Sequence, residues 1–64
     1  SDADFIARIV QETLSGNPDE AASYRSGKVT VLNWLFGQVM RKSQGKANPQ
    51  VVRQELERQL NAEK

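Results

Sequence analysis

The segment most informative about the fold covers residues 28–44 and reads KVTVLNWLFGQVMRKSQ. Its apolar residues recur at the three- and four-residue spacing of an α-helix, which predicts one helix from Lys28 to about Gln44. The residues on its broad apolar arc are Val29, Leu32, Leu35, Phe36, Val39 and Met40. Val31 and Trp34 fall outside that arc, so the helix is apolar around most of its circumference. A helix of this kind is expected to be buried or to touch partners on more than one side.

The rest of this helix surface is a strip of small or polar residues, namely Thr30, Asn33 and Gly37. Small groups there allow another backbone to approach closely, although Gly37 costs about 1 kcal/mol of helix propensity relative to alanine. Trp34 is interpreted as a packing residue rather than as a platform for stacking bases. Tyr24 is interpreted as a lid on the core.

Helix start and stop signals on the N-terminal side of this segment predict two more helices. Ser1 with Asp4 forms a capped, acidic start, and Gly16 ends the first helix. Asn17-Pro18 then starts a short second helix that stops at Gly27. The apolar face of the first helix carries Phe5, Ile6, Ile9, Val10 and Leu14.

On the C-terminal side, Gly45 ends the central helix and Asn48-Pro49 starts the last one. The last helix has a narrow apolar stripe made of Val52, Leu56 and Leu60. Its charged residues can pair on the exposed side, as Arg53 with Glu57 and Glu55 with Arg58. The predicted architecture is a small all-α bundle of three main helices and one short helix, forming a single domain over residues 1–64.

Composition excludes several classes of site. The 64 residues include no cysteine and no histidine, so a Ser-His-Asp triad, a cysteine nucleophile and an ordinary zinc site are ruled out. The acidic residues lie in first helical turns and i, i+4 pairs, which indicates solvated structural roles. We therefore expect no catalytic, cofactor-binding or metal-binding residues, and no signal peptide or membrane span is visible.

The formal net charge of +1 hides a strong order along the chain. Residues 1–20 carry −4, residues 21–54 carry +6 with no acidic residue, and residues 55–64 carry −1. A basic block between acidic ends is typical of a surface that binds a polyanion.

Within the basic block, residues 41–51 join the end of one helix to the start of the next. Unlike Asn17-Pro18, the start at Asn48-Pro49 is not followed by acidic residues, so the positive end of this helix has no internal anion and can accept a phosphate. The candidate residues are Arg41, Lys42, Lys46, Asn48, Gln50 and Val51, the last two through their backbone amides. The competing interpretation is that Arg41 and Lys42 only stabilise the negative end of their own helix.

These same residues carry a family resemblance. The motifs are Gly37-Gln38-Val39-Met40-Arg41-Lys42, Gly45-Lys46-Ala47-Asn48-Pro49, Val51-Val52, Asn17-Pro18, Tyr24-Arg25 and Gly27-Lys28. Together they resemble the tail of the B subunit of the aspartyl/glutamyl-tRNA(Asn/Gln) amidotransferase, a GatB/YqeY-type domain. The motif after Gly45 looks more like the amidotransferase form than the YqeY form.

The resemblance implies a role in protein biosynthesis. The parent enzyme is a cytoplasmic carbon–nitrogen ligase with A and C subunits, which uses ATP, Mg²⁺ and glutamine to convert mischarged Glu-tRNA(Gln) or Asp-tRNA(Asn) to the amide. This chain would be a C-terminal fragment of the B subunit that binds the tRNA backbone without catalysing the reaction, through the six candidate residues named above. The alternative is a protein-interaction module that docks on another domain or subunit through Val31 and Trp34.

Overall fold

A computed structural model describes residues 1–62, which fold into four α-helices. These are α1 (Asp2–Gly16), α2 (Pro18–Arg25), α3 (Val31–Lys42) and α4 (Pro49–Ala62). The predicted all-α bundle of three main helices and one short helix is confirmed. Glu63 and Lys64, which the charge count of the C-terminal segment includes, lie outside the described residues.

The core lies where α4 packs against the other three helices, in a bundle measuring 31 × 19 × 19 Å. The predicted stripe on α4 is confirmed, because all three of its residues are fully buried. The buried apolar residues are Ile6, Ile9, Val10, Ala21, Leu35, Val39, Ala47, Val52, Leu56 and Leu60. The described residues contain no disulfide, so the fold depends on the removal of this apolar surface from water.

The junction between α1 and α2 differs from the sequence prediction in the role of Asn17. Asn17 occupies the cap position of α2, but its side chain makes no capping bond to that helix. Instead its Nδ2 donates to the carbonyl of Thr13 at 2.8 Å, so it satisfies an orphan acceptor at the end of α1. Gly16 is the last residue of α1 rather than the residue after it.

Because of the loop between α2 and α3, the central helix begins later in the chain than the sequence pattern predicts. Gly27 has φ +115°, while the amides of Gly27 and Lys28 donate to the carbonyls of Tyr24 and Ser23. This is the Schellman pattern that closes a helix C-terminus. The central helix therefore begins at Val31, whereas the sequence pattern placed its start at Lys28.

The surface of α4 holds one of the two predicted ion pairs. Arg58 donates twice to the Glu55 carboxylate, at 2.9 and 2.6 Å. The prediction that Arg53 pairs with Glu57 is wrong, because the Arg53 guanidinium lies 4.2 Å from the centre of the Phe36 ring. It also donates to Asn33 Oδ1 at 3.2 Å, which ties α4 to α3.

Glu55 gives the fold a dependence on acid pH. Hydrogen bonding from Arg58 lowers the pKa of Glu55 below its ordinary value of 4.5, against a smaller opposing effect of burial. Because the unfolded chain then binds the proton more tightly, this stabilisation is present above about pH 4.5 and is lost as the pH falls through the folded-state pKa. We measure the free energy of unfolding by urea from about pH 7 to about pH 3, and we expect it to fall less on acidification in Glu55→Gln than in the wild type. Glu57→Gln, at an exposed position of the same helix, is the control. An equal loss of unfolding free energy on acidification in the wild type and Glu55→Gln would contradict the prediction.

Candidate nucleic-acid interface

The C-terminus of α3 closes with the same backbone pattern as α2, but with a different residue in the left-handed position. The amides of Gln44 and Gly45 donate to the carbonyls of Arg41 and Met40 at 3.0 and 2.9 Å. Gln44 has φ 56° and Gly45 has φ 74°. The prediction that Gly45 ends the helix is corrected, since Gln44 already turns the chain at the end of α3 and Gly45 extends the turn.

A buried serine holds the turn between α3 and α4 together. Ser43 is only 3% exposed. Its Oγ donates to the Met40 carbonyl at 2.9 Å and accepts from the Ala47 amide at 3.2 Å. Ala47 is itself part of the core. The turn that carries Lys46 is therefore anchored at both ends, while the Lys46 side chain is exposed.

The start of α4 is capped from within. Asn48 Oδ1 accepts from the amides of Gln50 at 2.9 Å and Val51 at 3.3 Å, as expected of a residue before the first helical turn. From the sequence, these two amides were expected to be available to a phosphate. In the structure they are already occupied, so the cationic side chains, rather than the amides, are the groups with bonding capacity left.

The cations of the basic block divide into two groups. Arg25 Nε donates to the carbonyl of Leu60 at 2.9 Å, and Arg53 is engaged by Phe36 and Asn33, so both serve the fold. The other four cations of the block, Lys28, Arg41, Lys42 and Lys46, are exposed and form no salt bridge within residues 1–62. Three of these four are candidate residues, and all four retain their donors for an external anion.

The structure brings only some of the six candidate residues together. Lys46, Asn48 and Val51 line one cleft between the α3–α4 turn and the first turn of α1. Asp2 and the 39%-exposed side chain of Phe5 line the opposite side of this cleft. The remaining candidates, Arg41, Lys42 and Gln50, do not line it.

Sequence reasoning misplaced Trp34, one of the two aromatic residues of α3. Trp34 is 46% exposed and lies outside the core cluster, so it is not the buried packing residue that its interpretation implies. Val31, which also fell outside the predicted arc, does pack against the core, as does Tyr24. Val29 lies before the helix and is 65% exposed. The one sequence signal for the exposure of Trp34 was its position outside the apolar arc. Val31 has the same position but packs against the core, so this signal did not distinguish the two residues.

None of the four described helices combines the length and the hydropathy needed to cross a membrane. No cluster of three or more acidic side chains suited to a metal ion occurs in the part of the chain that the structure describes.

Comparison with known proteins gives a consistent match over nearly the whole chain. The family model described as GatB domain matches residues 1–60. The chain is 48% identical over 60 residues to the B subunit of the aspartyl/glutamyl-tRNA(Asn/Gln) amidotransferase of Chlorobium luteolum, and 45% identical over 60 residues to the protein of the same name in Roseiflexus castenholzii. The corresponding protein from Methanopyrus kandleri is 41% identical over 63 residues.

These three alignments cover 94%, 94% and 98% of this chain but only 13%, 12% and 14% of the relatives. The chain therefore spans about an eighth of the length of the curated relatives it matches. No solved structure matches it significantly.

Proposed function

Because this chain belongs to the GatB domain family, we propose that it is the tRNA-binding tail of an amidotransferase B subunit. The relatives are named as B subunits of the aspartyl/glutamyl-tRNA(Asn/Gln) amidotransferase. The proposed parent converts mischarged Glu-tRNA(Gln) or Asp-tRNA(Asn) to the amide form. The observation that carries the binding role is the set of exposed cations at the end of α3 and in the following turn, which form no salt bridge with a carboxylate of the described residues.

The proposed tail takes no part in the chemistry. ATP and Mg²⁺ would be bound by the remainder of the parent protein. Residues 1–64 would be one domain of that longer chain, which would meet the A and C subunits of a cytoplasmic enzyme through its other parts. The role left to this domain is to hold the substrate tRNA.

The proposed binding mode is contact with the phosphate backbone. Arg41 and Lys42 donate to phosphates from the end of α3 and Lys46 from the following turn, while Asn48 caps the start of α4 by accepting from the amides of Gln50 and Val51. Such contacts position an RNA without reading its sequence. With only three cations, binding by the domain alone is weak and falls with salt, at a slope of about −0.7 per contact on logarithmic axes. Its benefit to the parent is a high effective concentration near the tRNA.

The test is a fluorescence-anisotropy titration of labelled tRNA with the chain. We expect the double variant Lys42→Gln with Lys46→Gln to bind about tenfold or more weakly at about 50 mM salt, because two phosphate contacts are lost. The magnitude of its salt slope should also fall by about 1.4.

Arg8→Glu is the matched control, since it lowers the net charge by the same two units from an exposed position on α1. It should bind nearly as well as the wild type. Equal weakening in the control and the double variant would show that only the net charge matters, and would refute this placement of the site.

A further inference from the structure

One side of α3 is exposed along the whole length of the helix. The buried side carries Leu35 and Val39, whereas the opposite side carries exposed residues at helical spacing. These residues are Thr30, Asn33, Trp34, Gly37 and Arg41. We call them the outer face of α3. Among the described residues, the side chain of Arg53 on α4 reaches this face at Asn33, while Trp34, Gly37 and Arg41 remain exposed.

Trp34 is the aromatic residue of this face. It is the single tryptophan of the chain, and 46% of it is exposed although it stands beside the fully buried Leu35. The other large side chains of α3, Leu32, Phe36 and Met40, pack against the core. The indole of Trp34 contributes little to that core and presents an aromatic surface to solvent.

Gly37 lies in the middle of the outer face, and the domain itself does not explain it. A Cβ atom at Gly37 would meet nothing within 4 Å, and its φ is not positive. Neither packing nor backbone conformation within the domain therefore requires glycine, which weakens a helix interior relative to alanine. One turn from Trp34, it leaves the helix backbone open to a group that approaches from outside.

The charges around the outer face favour an anionic partner. Arg41 follows Trp34 by seven residues, which places it two turns along the same side, about 10 Å away along the helix axis. Arg53 lies at the other edge of the face, where it donates to Asn33. No acidic residue occurs between residues 21 and 54. A second copy of the chain would bring the same positive charge against itself, so self-association through this face is disfavoured.

A partner that offers both negative charge and flat aromatic rings is an RNA with unstacked bases. We propose that the outer face of α3 is a stacking surface for an unpaired base of tRNA, with Trp34 against the base, Gly37 allowing the sugar to approach and Arg41 on a neighbouring phosphate. Aromatic side chains bind single-stranded nucleic acids in this way, and the contact tolerates any base. This inference rests on the proposed tRNA-binding function and adds a second contact surface to it.

The experiment uses the emission of Trp34, which reports on this face alone because the chain has no other tryptophan. Labelled tRNA is titrated with the chain, and anisotropy and tryptophan emission are read together. We expect emission to be quenched in step with binding, and polyphosphate, a polyanion without bases, to leave it nearly unchanged. Trp34→Ala should weaken tRNA binding at least about fivefold, and Trp34→Phe should retain most of the affinity.

Circular dichroism checks that the Trp34 variants remain folded, as expected for a residue outside the core. The stacking surface is overturned if tRNA binds without changing the Trp34 emission of the wild type and Trp34→Ala binds tRNA as tightly as the wild type does. The phosphate-binding function then stands, and this outcome is the one expected if the face instead docks on another protein domain. If tRNA does not bind at about 50 mM salt, both proposals fall. Quenching by polyphosphate equal to that by tRNA, or an emission shift caused by chain concentration alone, overturns the stacking surface as well.

Discussion

Leu56→Ala is expected to remove about 2–5 kcal/mol from the free energy of unfolding, more than any other single substitution proposed for this protein. Leu56 is fully buried at the middle of the apolar stripe of α4. Because α4 packs against the other three helices, the cavity left by the missing methyl groups has walls on several sides and cannot close by the shift of one helix.

A loss of this size is severe for so short a chain. At the usual 0.05–0.15 kcal/mol per residue, a domain of 64 residues is stable by roughly 3–10 kcal/mol. We expect Leu56→Ala to be partly or largely unfolded at 25 °C. Urea or thermal unfolding followed by circular dichroism measures the change.

Two control variants define what the result means. Leu56→Met keeps the volume nearly constant and should cost less than about 1.5 kcal/mol. Val29→Ala removes apolar atoms from a residue that is 65% exposed and should change stability by no more than about 0.5 kcal/mol. A loss below about 1 kcal/mol for Leu56→Ala would mean that α4 is not the central element of the core.

Ser43→Ala is expected to cost about 1–3 kcal/mol, because it leaves the Ala47 amide without an acceptor in a buried turn. The hydroxyl of Ser43 is the only side-chain group bonded to both sides of the α3–α4 turn among the described residues. Its loss should also speed hydrogen exchange at the Ala47 amide more than at the core amides of α4. Unfolding curves and amide exchange followed by NMR measure the two effects.

The chain supplies a matched control for this change. Ser26 occupies the same cap position at the end of α2, and its Oγ likewise donates to the carbonyl three residues before it, at 2.9 Å. Ser26 is exposed, so water can replace its bonds, and Ser26→Ala should stay within about 0.5 kcal/mol of the wild type. If both substitutions cost the same, the burial of Ser43 is not what matters.

Local signals in the sequence predicted most of the fold. The stripe of Val52, Leu56 and Leu60 identified the buried side of α4, because an i, i+4 apolar pattern in a polar helix permits only one buried face. The Asn48-Pro49 start was also predicted correctly, since both residues act on their immediate neighbours. Asn17, in the same motif, caps the preceding helix instead. Asn17 lies between α1 and α2 and its side chain can reach either helix. The backbone conformation of this one-residue connection determines which helix it caps.

The candidate site was predicted less completely. The charge order along the chain identified the cations, and it did so without any structure. It could not show that Arg25 and Arg53 are used by the fold, because their partners, Leu60 and Phe36, are distant in sequence. Nor could it show that Lys46 lines a cleft that Arg41 does not line.

The four helices, the buried stripe of α4 and the positive middle of the chain all follow from the order of the amino acids, because each depends on residues within one or two helical turns. How much of the apolar surface of α3 is covered depends instead on tertiary packing. The pattern on α3 suggested a helix surrounded by partners, yet its contacts with α1, α2 and α4 leave Trp34 and Gly37 exposed. Periodicity shows which residues of a helix are apolar, but only the positions of its neighbours determine which of them are buried.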